Sequence, residues 1–169
     1  MREESEAAKK GGEGSPYEAM MAGRARERSQ RRTGKVVLWP EDREWYEGRQ
    51  GKLKYFLNDY FYGDACLSGW LALTQEIKVS SGKHRHQGGV SIFALEGKGR
   101  TTMDEESYDW EAGDLVVLPV RERGVAHQHF NERDDGLPSY WFAFVNLFMA
   151  TRAGDDSEQI ADRGGVGVV

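Results

Sequence analysis

Cysteine is nearly absent from this chain: of 169 residues only Cys66 is one. That excludes a disulfide framework within the chain and a cysteine-based zinc site. No apolar run approaches the ~18 residues that a membrane-spanning helix needs. The first twenty residues, MREESEAAKKGGEGSPYEAM, contain no apolar segment that would read as a secretory signal. The expectation is therefore a soluble, reduced, cytoplasmic protein with no membrane partner. Proline is scarce at four residues, whereas glycine is plentiful at 21, which fits many tight turns. The length allows one domain with a core of its own.

Charge is unevenly spread. The net charge is -5 overall, yet residues 1–35 hold nine Lys/Arg against six Asp/Glu. The remainder is acidic, which argues against a duplex-binding face on the folded body. The arginines at 24, 26, 28, 31 and 32 read as a solvated tail, or as an interaction arm. Residues 1–35 are rich in Gly, Ser and charge and are expected to be mostly disordered, with room for a short helix from Tyr17 to Gln30.

A folded body is expected over residues 36–150. It opens with VVLWP, and Lys52 to Tyr62 reads as an extended aromatic stretch. Beyond it lie short strands, WLALTQEIKV, VSIFALEG, RTTMDEESYDWEAG, DLVVLPV and SYWFAFVNLFMA, separated by Gly, Ser and Asp turns. Strands of this length and spacing indicate an all-β antiparallel sandwich or barrel. Residues 151–169 are polar and Gly-rich and read as a flexible C-terminal tail.

Only four histidines occur, as two His-x-His pairs: His84-Arg85-His86 and His127-Gln128-His129. In a strand, residues i and i+2 point to one face, so each pair aims two imidazoles the same way. Were the two strands neighbours, four imidazoles would share a pocket, and imidazole is the commonest transition-metal ligand. By the same alternation Arg85, Gln87 and Gln128 face away.

Around these pairs the chain resembles the cupin superfamily. GKHRHQGGVSIFALEGKG (82–99) is similar to its first signature. GDLVVLPVRERGVAHQHFN (113–131) is similar to its second, with Gly113, Pro119, His127 and Asn131 at matching spacing. The usual glutamate of the first signature is missing, since positions 90 and 91 are Val90 and Ser91; Glu96 falls in a hairpin and reads as structural. The resemblance implies a jelly-roll barrel (a double-stranded β-helix) with a metal near its mouth. Lack of the glutamate resembles the gentisate and salicylate ring-cleaving dioxygenases, the thiol dioxygenases and the diketone-cleaving enzymes; the texts HRH…LEGKG and GDLVVLP…HQHFN, with their second His-x-His pair, are most similar to the gentisate-type branch, a three-histidine one.

Carried over on that resemblance, His84, His86 and His127 are the metal ligands. His129 is a catalytic acid/base or substrate-anchoring group, with a fourth ligand as the alternative. Asn131 is a turn residue holding the strand. Fe(II) is the expected cofactor, although Mn, Ni, Zn and Cu also suit such ligands. The implied reaction is O2-dependent cleavage of a carbon–carbon bond in a hydroxylated aromatic or similar O,O-chelating small molecule. A non-catalytic binding or regulatory cupin is the alternative reading, and a metal-dependent isomerase or lyase a weaker one. For substrate contacts, Arg121 and Arg123 are the candidates for a carboxylate, with Phe93 and Trp141 for a planar apolar body. A homodimer is expected, through pairing of the stretch Leu53 to Tyr62 with a partner's sheet.

Overall fold

The computed structural model describes residues 14–154 and 156–164. Helix α1 (Pro16–Thr33) starts at Ser15, whose hydroxyl accepts the Glu18 N–H at 3.3 Å, with proline in its first turn. It is longer than the sequence indicates and buries none of its residues. Its C-terminal end is tied down where Gln30 Nε2 donates to the Ala65 carbonyl at 3.1 Å and Lys35 bridges to Ala65. The segment VVLW that follows is not a strand. Val36, Val37 and Trp39 are all exposed, and Pro40 opens a single 3-10 turn. The expectation of a mostly disordered stretch over residues 1–35 meets α1 from Pro16 on, and its part over residues 1–13 lies outside the described residues.

The strands in chain order are β1 (Trp45–Gly48), β2 (Gly51–Leu57), β3 (Trp70–Ile77), β4 (Lys83–His86), β5 (Val90–Glu96), β6 (Lys98–Met103), β7 (Glu106–Glu111), β8 (Leu115–Leu118), β9 (Val125–Asn131) and β10 (Ser139–Asn146). Helix α2 (Leu147–Arg152) and β11 (Glu158–Ala161) complete the fold. They form two antiparallel sheets. One runs β1-β2-β3-β10-β5-β8, the other β11-β4-β9-β6-β7. Two such sheets packed face to face make a jelly roll.

Alternation along the strands builds the core. Leu53, Leu73, Ile77, Val90, Ile92, Trp141 and Ala143 from the larger sheet meet Trp110 from the smaller one. Each such aliphatic side chain gains about 1.5–3 kcal/mol by leaving water. The hairpin between β6 and β7 turns on Asp104, which adopts a left-handed φ of 54° and accepts the Ala126 N–H at 3.1 Å. That bond ties the turn to β9, the strand carrying the second histidine pair.

Three expectations change here. The stretch Leu53 to Tyr62 is a strand only to Leu57; Asn58–Tyr62 closes a tight turn. Moreover β2 lies between β1 and β3, so both its edges are occupied and it offers no ladder to a second chain. The LFMA end of the last apolar run is helical because the Asn146 side chain caps it, accepting the Met149 N–H at 3.0 Å. Finally, the C-terminal segment contributes β11, which pairs antiparallel with β4 and forms an edge of the smaller sheet.

Candidate metal centre

β4 and β9 are neighbours, and their register sets His84 directly opposite His127 and His86 opposite Val125. The three rings of His84, His86 and His127 converge, with centroids 4.2 Å (84 to 127), 4.7 Å (86 to 127) and 5.5 Å (84 to 86) apart. One nitrogen from each lies within 4.8 Å of the other two, close enough to share an ion. His129 stands one pleat further along β9, beyond the end of β4 and past His127 from His86. It is not a member of that trio, although its ring centroid is 5.5 Å from that of His127.

Backbone carbonyls orient two of the rings. His127 Nδ1 faces the Val125 carbonyl at 3.0 Å, and His84 Nδ1 faces the Gly82 carbonyl at 3.2 Å. A carbonyl only accepts, so Nδ1 carries the proton in both, and Nε2 keeps its lone pair for a metal. At His86 the Gly88 N–H lies 3.1 Å from Nδ1 and competes with an ion for the ring's one lone pair. Gly88 and Gly89 have φ values of 89° and 72°, so this contact belongs to a glycine-paired turn rather than to the sheet ladder.

Burial is what sets the charge of the site. It pushes the His84 pKa down from the usual imidazole value. His127 is driven far lower by burial, with repulsion from the other three imidazoles added. Burial and repulsion from His84 and His86 bring His129 to about 3. These rings are therefore neutral at pH 7, the form that ligates metal. Three neutral imidazoles grouped this closely, two held with Nε2 exposed to the centre, fit a first-row divalent ion with coordination positions left open. The donor set alone selects none of those metals.

The trio opens on a cavity of about 160 Å³ between the two sheets. Its walls are mainly aliphatic: Leu53, Leu71, Leu73, Val90, Ile92 and Val145. Polar groups come from the four histidines, Gln50, Gln75, Ser157 and Trp141. Among the described residues, no lining side chain is Asp, Glu, Lys or Arg. Trp141 lies with its ring centroid 5.1 Å from that of His129. Its indole N–H is buried and has no hydrogen-bond partner among the described residues.

Of the residues singled out in the sequence, the four histidines and Trp141 come together at this cavity. Phe93, Arg121 and Arg123 do not. Phe93 pairs with Phe142 and Leu115 on the outer surface of its sheet and is 42% exposed. The reason is parity, since Val90, Ile92 and Ala94 take the inward positions of β5. Arg121 is engaged outside the barrel, with Nη1 donating to Asp104 at 2.6 Å. Arg123 is exposed in the same loop. Arg85 points away from the site to Glu158 at 3.0 Å, and Gln128 to the Ser81 carbonyl at 2.7 Å, as alternation requires. Asn131 is a turn holder: its amide donates to the carbonyls of Lys78 and Leu137, and its oxygen accepts from Ser139. Glu96 is an outer ion-pair partner of Arg133 at 3.0 Å.

Gln50, Gln75 and Ser157 line the cavity and Thr101 stands against His129, although none of the four is a candidate by sequence. Thr101 lies directly opposite His129 in the β6–β9 pairing, and its Oγ1 is 2.8 Å from His129 Nδ1. No local motif marks these residues; only the sheet register brings them to the site.

Residues 73–143 match the cupin domain family, and the fold is that of the cupins. Among solved structures, a uridine-bound variant of Streptomyces PAC13 aligns over 76% of this chain and 92% of its own, with a TM-score of 0.54 and 11% identity. Pac13 is described as a nucleoside dehydratase. A variant of Bacillus subtilis oxalate decarboxylase aligns over 72% of this chain but only 31% of its own, with a TM-score of 0.52 and 17% identity. A salicylate 1,2-dioxygenase from Pseudaminobacter salicylatoxidans aligns over 63% of this chain and 29% of its own, with a TM-score of 0.49 and 16% identity. These similarities are of fold. No curated protein matches the chain in sequence. Among the described residues, no helix is long and apolar enough to cross a membrane.

Proposed function

We propose that this protein is a metal-dependent dioxygenase. It holds a divalent ion, iron foremost, on His84, His86 and His127, and cleaves a carbon–carbon bond in a small molecule that chelates through two oxygens. The supporting observation is the charge of the cavity. Three neutral imidazoles leave the full 2+ of an ion uncompensated, and among the described residues no lining side chain supplies a counter-charge. A ligand that brings its own anionic oxygens, such as a deprotonated catechol or a hydroxy-carboxylate, completes the balance. An ammonium ligand would add to the imbalance.

When bound, iron in such a site supplies a Lewis acid for the chelating oxygens and an electron source for O2. The chain does the rest. His84, His86 and His127 would hold the ion at the cavity, where a ligand can reach it. Leu53, Leu73, Val90, Ile92 and Val145 keep water from the ligand's body. Trp141, whose N–H has no partner among the described residues, offers a donor to a ligand oxygen. His129 acts on the substrate from beside the ion rather than from its coordination shell. Among the described residues no cationic side chain lines the cavity to await a remote carboxylate, so the ligand's negative charge belongs at the chelating end.

The test is oxygen uptake by iron-loaded protein against dihydroxybenzoates, catechols, hydroxy-acids, diketones and thiols. Uptake with an O,O-chelating class and none with thiols is expected. Binding without uptake across every class, at full iron occupancy, would replace this reading with a ligand-binding module. Turnover without oxygen would replace it with an isomerase or lyase.

A further inference from the structure

Thr101 is wholly enclosed, at 0% exposure, on a strand of the smaller sheet. Its hydroxyl has two neighbours. Trp110 Nε1 lies 3.0 Å away and His129 Nδ1 2.8 Å away. The indole N–H is a donor and nothing else, so Trp110 occupies a lone pair of Thr101 Oγ1. The hydroxyl proton then needs an acceptor. Among the described contacts, His129 Nδ1 is the group able to take it. The opposite arrangement, with His129 donating, would strand the hydroxyl proton in a sealed site without a partner.

We infer that Thr101, oriented by Trp110, locks His129 in the tautomer whose proton is on Nε2, so that His129 presents a fixed N–H to the ligand and serves neither as a fourth metal ligand nor as a proton-accepting base. The chain of donation runs from Trp110 to Thr101 to His129 and ends at the cavity that His129 lines. The inference rests on the proposed metal-dependent reading for its ligand, and it sharpens the role of His129 from acid/base or anchor to donor. Such a donor suits an anionic chelating oxygen, which becomes more negative as it loses its proton.

His86 offers the contrast. Its lone pair is also engaged, by Gly88 N–H, but from a half-buried turn built on two left-handed glycines. That turn can yield to an ion. Thr101 cannot: it is pinned between β7 and β9 by its own strand and beneath Trp110 by the indole bond. The two engaged lone pairs therefore differ in what it takes to release them.

Histidine tautomers can be read directly. With four histidines, two-bond 1H–15N spectra of 15N-histidine-labelled protein resolve each ring, assigned by single His→Gln variants. The expected result in the metal-free and the zinc-loaded protein is a protonated Nε2 and an unprotonated Nδ1 at His129, with the reverse at His84 and His127. Thr101→Val should release the lock, so that His129 shows a mixture or the other tautomer. Thr101→Ser should restore the original pattern. A proton on Nδ1 of His129 in the unaltered protein, or a zinc-bound Nε2, would overturn the inference. Either measurement is independent of oxygen uptake, so failure of the dioxygenase reading leaves a distinct signature.

Discussion

His84 and His127 stand directly opposite each other on adjacent antiparallel strands, with ring centroids 4.2 Å apart. This pairing fixes which imidazoles form the centre. His86 sits one pleat to one side of that row and His129 one pleat to the other. At ~3.4 Å per residue, the Cα atoms of His86 and His129 are separated by roughly 13 Å along the strands. A trio with one outlier follows from register alone.

Metal retention should divide the histidines accordingly. His84→Ala and His127→Ala are expected to lower metal affinity by more than the roughly 10–100-fold that losing an outer-shell partner costs, and His86→Ala should do the same. His129→Ala should keep most of the metal and lose much of the rate. Competition titrations against a chelator of known affinity would check this. Equal metal loss in all four variants would contradict the division.

A second prediction concerns the outside of the barrel. Arg121→Ala and Phe93→Leu should leave substrate affinity within about twofold, since neither residue lines the cavity. The exposed Arg121–Asp104 pair should cost less than about 1 kcal/mol of stability. Trp141→Phe keeps the ring and removes the N–H, so its effect should fall on ligand affinity, roughly tenfold. Isothermal titration of a chelating ligand into metal-loaded protein separates the two cases. A large loss on Arg121→Ala would place the charge-recognition site elsewhere than the cavity.

Much of this was legible in the sequence because strand alternation is local. The shared face of each histidine pair and the outward turn of Arg85 and Gln128 follow from it, whereas the turn role of Asn131 comes from the resemblance to the second cupin signature. Register between strands is not local. Nothing in HRH and HQH states whether His84 or His86 faces His127, so a fourth ligand stays readable beside the three that the resemblance implies. Phe93 was misplaced by one position of parity. VVLW reads as a strand by composition, yet it lacks a neighbouring ladder and lies exposed. LFMA became a helix through a single capping asparagine. The pairing of β11 with β4 spans some 70 residues, and its sequence, EQIA, is too short and polar to announce it.

Acid sensitivity of the metal-free protein is a third consequence. Burial depresses the pKa of His127 and His129 in the folded state, while unfolded histidines titrate near 6.5. Below that value the unfolded chain binds protons that the folded chain refuses, so stability falls as pH drops. Above about 7 these groups contribute nothing to the slope. Each ring should remove about 1 kcal/mol per pH unit as pH falls from about 6 toward 3. Replacing His129 with Phe should remove one ring's share of that slope. Denaturant titrations of the metal-free protein between pH 7 and 5 would measure it, and a flat profile would mean these rings accept protons without unfolding.

The C-terminal strand makes the last prediction. β4 carries two of the three proposed ligands in four residues, and it is held by β9 on one side and β11 on the other. Glu158 pairs with Arg85, Gln159 with His84, and Gln159 Nε2 also reaches the carbonyls of Lys83 and Ala161 at 3.4 and 2.7 Å. Removing residues 158–169 would expose the outer edge of the ligand strand. Ladder bonds are worth about 0.5–1.5 kcal/mol each, so a loss of a few kcal/mol is expected. The effect on metal should exceed that of Glu158→Ala, which deletes only a solvent-exposed ion pair worth under about 1 kcal/mol. If truncation and Glu158→Ala lowered metal affinity equally, the charge pair and not the ladder would be what steadies β4. If neither did, β9 alone would suffice to place His84 and His86.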